Sequence, residues 1–257
     1  MIDLHCHVLP GVDDGPDTVE AAIALARGAE ADGIATIAAT PHVDLSHPSI
    51  DSRLIRAAVR ELQVRLDAAG VGVNIVSGGE LGSTRAVELD DAELRALTLG
   101  GRGWLLLECP MTSTLTPGFT GIARSLARRG HRILLAHPER CPVFLRSPQL
   151  LDELVTEGML AQVTAGALRG RFGRTIREVA LHLVERGTAH VVASDGHGGN
   201  RPAKIAGELE GTGIEPALVS WLAHEVPAAL LAGSGAPPRP QTGQRRRRGH
   251  LLRLVGR

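Results

Sequence analysis

Cysteine is scarce in this chain. Cys6, Cys109 and Cys141 are the three present in 257 residues, too few for a disulfide framework and suited to a reducing compartment. Lysine is scarcer, with Lys204 alone, so nearly all positive charge is arginine; this reads as coding bias rather than a functional signal. No run of 18 apolar residues occurs, and Asp3, His5 and His7 interrupt the start of the chain. Neither a membrane span nor a signal peptide is therefore expected, and the protein is placed in the cytoplasm. Formal net charge is zero, which removes any global electrostatic case for nucleic acid or membrane binding. No GxGxxG follows the first predicted strand, so a dinucleotide-binding open sheet has no support.

What is present is a regular alternation. Hydrophobic residues make up 43% and charged residues 22%, enough for one large core. Apolar runs of strand length fall at Met1–Leu4, Ile34–Ala39, Val71–Val76, Trp104–Glu108, Arg132–Ala136, Leu160–Val163 and His190–Ala193. Helical patterns lie between and after them, at Asp17–Asp32, Ser49–Ala69, Thr84–Leu97, Pro117–Arg129, Pro148–Glu157, Arg174–Arg186, Pro216–His224 and Pro227–Leu231. Asp17 with Glu20 predicts a capping box. Gly33, Gly70, Gly130, Gly158 and Gly187 each stand where a left-handed C-cap is required. The strands are apolar throughout, which indicates burial on both faces, as in a parallel sheet covered by helices. The expected fold class is α/β, a distorted parallel (β/α)7 TIM-like barrel, with a doubly wound open sheet as the structural alternative. Residues 1–232 form the expected domain. From residue 233 to 257 the chain is rich in Gly, Pro and Arg, carries no acid, and is read as a disordered basic tail without a role of its own.

The strand ends carry the chemistry. The first strand runs into His5-Cys6-His7, the second into Thr40-Pro41-His42, the third to Glu80, the fourth to Glu108, the fifth to His137 and the seventh to Asp195 and His197. Parallel strands place all these ends on one face. His-x-His on an extended segment points both rings the same way, and Asp14 can fold back over that face from the loop Val12–Gly15. Carboxylates and imidazoles crowded together are costly when unpaired. Divalent cations resolve the cost, with manganese, zinc or iron suited to these donors. Three such ions would bring six positive charges against the carboxylates of Asp14, Glu80, Glu108 and Asp195. That surplus of about two charges favours a phosphate dianion. Arg140 and Arg201 follow His137 and His197 closely, and guanidinium planes grip phosphate oxygens in pairs.

A single histidine at a strand end is commonly structural, and a single carboxylate there often caps the next helix. Repetition at six strand ends outweighs both readings. His47, His131, His182, His190, His224 and His250 lack the pattern and are taken as ordinary. The cysteines adjoin candidate residues, yet none has arginine six positions on: Val12, Leu115 and Ser147 stand there instead. They are read as small side chains in the wall.

These residues resemble the PHP (polymerase and histidinol phosphatase) superfamily and, within it, the bacterial manganese-dependent tyrosine-protein phosphatases of capsule and exopolysaccharide loci. The resemblance covers about residues 1–232. It rests on Ile2-Asp3-Leu4-His5-Cys6-His7, Val12-Asp13-Asp14-Gly15-Pro16, Thr40-Pro41-His42, Gly79-Glu80-Leu81, Leu107-Glu108, Ala136-His137-Pro138-Glu139-Arg140 and Ala193-Ser194-Asp195-Gly196-His197 with Arg201-Pro202. It implies a PHP-type barrel and a centre of three metals: His5, His7, Glu80 and Asp195 on one, Glu80, Glu108 and His137 on a second, and Asp14, His42 and His197 on the third. It further implies that Arg140 and Arg201 bind the substrate phosphate, that His42 acts in catalysis, and that phosphotyrosine is hydrolysed by a metal-activated water. The implied partner is the phosphotyrosine tail of a cognate bacterial tyrosine autokinase in polysaccharide synthesis. A small-molecule PHP phosphatase, such as one for histidinol phosphate, is the alternative. Cys6 departs from the serine the pattern leads one to expect, and the oligomeric state stays open.

Overall fold

The computed structural model describes residues 1–112 and 118–241. All strand pairings are parallel and fall into two sheets. The first contains β1 (Ile2–Cys6), β2 (Thr36–Ala39) and, beyond β3 (His42–Val43), β4 (Asn74–Ser77), in the order β1-β2-β4. The second runs β3, β5 (Glu80–Gly82), β6 (Trp104–Glu108), β7 (Arg132–Ala136), β8 (Leu160–Thr164) and β9 (Val191–Ala193). Strands β6, β7 and β8 are almost wholly buried, as their unbroken apolar runs predict.

Two sheets stand where a single seven-stranded ring was expected. The second predicted strand breaks at Thr40-Pro41 and the third at Gly78-Gly79, so β2 continues into β3 and β4 into β5 across short gaps. Proline cannot donate to a ladder, and glycine weakens a strand interior. Both short continuations carry site residues, and neither has the length or apolar content that marks a strand in sequence. Backbone bonds tie the two sheets together: Asp195 N–H donates to the His5 carbonyl at 2.8 Å and His7 N–H to the Gly196 carbonyl at 2.8 Å.

Helices cover the sheets with their apolar stripes. Helix Ser52–Ala68 buries Ile55, Val59, Leu62 and Leu66, a 3–4 spacing that keeps one face inward. Its N-cap is Asp51, which accepts from Leu54 N–H at 2.7 Å. The first helix, Val19–Ala31, starts later than expected because Thr18, not Asp17, accepts the capping bond from Ala21. The expected helix Thr84–Leu97 is two, Ser83–Glu88 and Asp91–Ala96, since Asp90 caps a new start. Arg174–Arg186 matches its predicted span. Helix Phe119–Arg128 begins inside its predicted range, whose first residue, Pro117, lies outside the described residues. The last segment passes through a π-helical turn, Trp221–Glu225, between Pro216–Ser220 and Val226–Leu231. All five glycines predicted as C-caps have positive φ. No helix among the described residues is long and apolar enough to cross a membrane.

The first residues of the expected tail are anchored. Residues 233–241 form no helix or strand but are tied to the body. Trp104 Nε1 donates to the Ser234 carbonyl at 2.8 Å, Trp221 Nε1 to the Pro237 carbonyl at 3.0 Å, and Arg239 to the Val184 carbonyl at 2.8 Å. Backbone acceptors for two indole donors anchor a stretch whose composition alone reads as solvated. The rest of the expected tail, 242–257, lies outside the described residues.

Candidate metal centre

Strand geometry assembles the centre. His5 and His7 leave the end of β1 on one side, both fully buried. His42 opens β3 in register with Glu80 on β5. Glu108 ends β6, His137 follows β7, and Asp195 and His197 follow β9. Among the described residues, His137 (φ 39°) and Asp195 (φ 52°) are the two non-glycine residues in the left-handed region. Such backbone is costly for ordinary side chains and collects at functional sites. Here it turns two donors inward where their strands stop. Asp14 arrives from the loop before the first helix. That loop lies so close to β1 that a Cβ on Gly15 would collide with the His7 carbonyl oxygen.

Glu80 is the hub. Its Oε1 lies 2.8 Å from His137 Nε2 and 3.3 Å from His5 Nε2, and its Oε2 lies 3.2 Å from His42 Nδ1 and 3.3 Å from His7 Nε2. Asp14 Oδ1 approaches His197 Nε2 at 3.2 Å and His42 Nε2 at 3.5 Å. Donor atoms converge within 4.8 Å of one another in four groups: His5, His7 and Glu80; Glu80, Glu108 and His137; His7, Asp14, His42 and His197; and His42, Asp44 and Glu108. Eight of the nine candidate donors singled out in the sequence fall within these groups, which also take in Asp44. Asp195 is placed differently from the rest. It lies 3.5 Å from His5 Nε2, while its Oδ2 accepts from Arg140 at 2.5 Å and forms an ion pair with Arg201 Nη2 at 2.8 Å. Both arginines expected at a phosphate thus stand at the edge of the centre, converging on one carboxylate oxygen. Arg140 also lies over the Phe172 ring, 4.8 Å from its centroid.

A supporting layer was not visible in the sequence. Asp13 Oδ2 accepts from His7 Nδ1 at 2.6 Å and from the His42 amide at 2.9 Å. Gln162 Oε1 meets His5 Nδ1 at 2.9 Å. Both bonds orient the ring through Nδ1 and aim Nε2 toward Glu80 and Asp195, the orientation a metal ligand needs. Asp3, fully buried, takes the Ser194 amide at 3.0 Å and the Ser194 hydroxyl at 2.5 Å, which locks β9 against β1. Asp44 binds His47, whose ring stacks on His42 at 5.7 Å, so His47 is not the uninvolved residue expected. Asp13 could have been found from its neighbour Asp14; Gln162 and Asp44 had no sequence signal.

The electrostatics describe a site that is strained as protein alone. Burial raises the Glu108 carboxyl to about 8, with Glu80 and Asp44 adding repulsion. Burial opposes a charged His7, but hydrogen bonds to Asp13 and Glu80 outweigh it and raise this ring to about 10. His137 is held at about 4 by burial and Arg140, and His197 at about 4 by burial and the nearby His7 and Arg201. Some rings are thus held neutral and others charged within one cluster. Buried nitrogens of His42 (Nδ1), His137 (Nδ1) and His197 (Nε2) have no hydrogen-bond partner, although buried polar atoms are normally paired. Imidazole nitrogens without a hydrogen-bond partner, beside carboxylates, fit divalent cations. The thiols do not compete for this role: burial raises Cys6 and Cys109 well above the usual thiol range, which leaves no thiolate.

A parallel α/β scaffold with this donor set at its strand ends defines a metal-dependent hydrolase. More narrowly, the chain belongs to the family described as capsular polysaccharide synthesis, CpsB/CapC, whose model matches residues 1–209. It is 35% identical over 198 residues to the tyrosine-protein phosphatase YwqE of Bacillus subtilis, covering 77% of each chain. It is 33% identical over 204 residues to the putative tyrosine-protein phosphatase CapC of Staphylococcus aureus, covering 79% of each. The fold matches a solved structure of YwqE from Bacillus subtilis and CpsB from Streptococcus pneumoniae, described as metal-dependent tyrosine phosphatases, with TM-score 0.81 at 30% identity over 95% of this chain and 100% of the other. A dihydropyrimidinase from Brevibacillus agri shares the fold at TM-score 0.53 and 12% identity, covering 93% of this chain and 72% of that one.

Proposed function

We propose that this protein is a metal-dependent protein-tyrosine phosphatase that hydrolyses phosphotyrosine on a bacterial tyrosine autokinase of polysaccharide synthesis. The observation that carries the reading is the convergence of four histidines on the two oxygens of Glu80. The similarity to YwqE and CapC supplies the substrate class. Three divalent ions, with manganese the first choice, are assigned to His5, His7, Glu80 and Asp195; to Glu80, Glu108 and His137; and to Asp14, His42 and His197. Bound there, such ions activate water and offset the charge that builds on phosphoryl oxygens.

The chain's own residues do the rest. Arg140 and Arg201 hold the phosphate by turning part of their donor set from Asp195 to its oxygens. Burial of the cluster strengthens every charge interaction made there. His42, between Asp14 and Glu80, keeps its expected catalytic place at the reacting group. Asp13 and Gln162 hold His7 and His5 in register. The two sheets are read as one seven-unit ring, which the parallel bridge Cys6–Gly196 supports.

The test is a side-by-side measurement of kcat/KM on a phosphotyrosine peptide and on histidinol phosphate with the manganese-loaded protein. A large preference for the peptide is expected. A large preference for histidinol phosphate would move the assignment to a small-molecule phosphatase.

A further inference from the structure

Asp44 has no place in the metal assignment above, yet it reaches the same centre. One of its carboxylate oxygens lies within 4.8 Å of a His42 ring nitrogen and a Glu108 carboxylate oxygen, and those two lie within the same distance of each other. His42 and Glu108 belong to different ions in the assignment, so Asp44 stands where two coordination spheres adjoin. We propose that His42, Asp44 and Glu108 form a further divalent-cation position at the outer edge of the centre, with Asp44 as its tenth donor.

Asp44 is oriented for this. Its Oδ1 accepts from the Ser46 amide at 2.8 Å, the His47 amide at 2.9 Å and His47 Nδ1 at 3.0 Å. That leaves Oδ2 uncommitted on a carboxylate that cannot rotate freely, and outer hydrogen bonds of this kind fix metal ligands. Room for it is made by Gly82 on β5: a Cβ there would come within 2.8 Å of Asp44 Cβ, so any other residue would displace Asp44. On the other side, the half-buried Glu108 carboxylate feels repulsion from Glu80 and Asp44, with His5 and Arg140 as its compensating charges. His42 Nδ1 is buried and makes no hydrogen bond, although Glu80 Oε2 lies 3.2 Å from it. The one cationic candidate bonded to Asp44 is His47, and it takes the opposite oxygen. Two carboxylates and an imidazole therefore converge without an arginine or lysine among them, a donor set suited to manganese or another divalent ion. Partial exposure, 23% for the Asp44 side chain and 18% for that of His42, puts the position within reach of water and of an incoming substrate.

The inference rests on the metal-centre reading, and the experiment separates the two. Manganese binding to the full chain is measured by calorimetry and by metal analysis after dialysis at fixed free Mn2+, for the wild type, Asp44→Asn, Asp44→Glu and Glu80→Ala, with circular dichroism as the fold control. Asp44→Asn is expected to lose the weakest class of bound manganese, or to weaken it at least about tenfold, while the tighter ions remain. Asp44→Glu should retain part of that class, and Glu80→Ala should lose the tighter ions. Unchanged stoichiometry and affinity in Asp44→Asn would overturn the site while leaving the metal centre standing. A wild type that binds no manganese would overturn both. If Asp44→Asn does not fold, Gly82→Ala, which displaces Asp44 and keeps its charge, carries the same expectation, and wild-type binding by that variant counts against the site.

Discussion

Two concentrations of charge in this molecule solve the same problem in opposite ways. On the surface, Arg124 meets Glu157 through three hydrogen bonds of 2.8–3.0 Å and Glu153 through a fourth at 3.1 Å. Every group there has water or a partner of opposite charge. At the strand ends, histidines and carboxylates are packed just as closely but buried, and three ring nitrogens lack a hydrogen-bond partner. The surface network is complete as protein. The buried one leaves polar nitrogens unmet, and buried polar groups are normally paired, so it suits added cations. The contrast separates a solvated ion network from a candidate metal centre without recourse to any relative.

The comparison is broken most directly at its hub. Glu80→Ala removes the acceptor shared by four histidines and is expected to lower kcat/KM by at least about 10³-fold, several kcal/mol of lost charge stabilisation. Metal analysis should show fewer bound ions, and wild-type turnover by this variant would sink the bridging role. Arg140→Ala should cost about 10²-fold in kcat/KM while leaving bound metal unchanged; loss of metal instead would make Arg140 a structural partner of Asp195. Asp13→Asn weakens the support of His7 and should reduce manganese affinity about 10- to 100-fold, read by calorimetry.

Away from the centre, His190 is held at about 4, chiefly by burial. Its unfolded value is near 6.5, so the unfolded chain takes up a proton first as pH falls. The stability this ring contributes is full above about 6.5 and is lost as pH falls toward 4. His190→Asn, which keeps an acceptor for the Ala161 amide, should flatten the acid limb of a Tm-versus-pH curve. Arg124→Ala should do least, shifting Tm by less than about 2 °C. A large fall in Tm would mean that the surface network is not the independent, solvated feature described above.

Much of this was legible in the chain. The donors His5, His7, His42, Glu80, Glu108, His137, Asp195 and His197 could be picked out because parallel strands place all their ends on one face, a rule that needs no coordinates. Five glycines marked helix ends because only they adopt left-handed backbone at no cost. Strands β3 and β5 were missed because each is short and begins at a polar residue after a Pro or Gly break. The anchored stretch 233–241 was missed because its hydrogen bonds run through backbone carbonyls to Trp104 and Trp221, and composition records nothing of such partners.

The sequence by itself determined the alternation of strand and helix and which histidines and carboxylates stand at strand ends as candidate donors, because these follow from local periodicity and residue chemistry. Tertiary structure alone decided that Glu80 is the hub, that Arg140 and Arg201 converge on Asp195, and that Gln162 and Asp44 stand against the centre. Those relations depend on register and crossing between strands far apart in the chain. A shift of one residue would turn each side chain to the opposite face, and nothing in the linear order of residues records which register was taken.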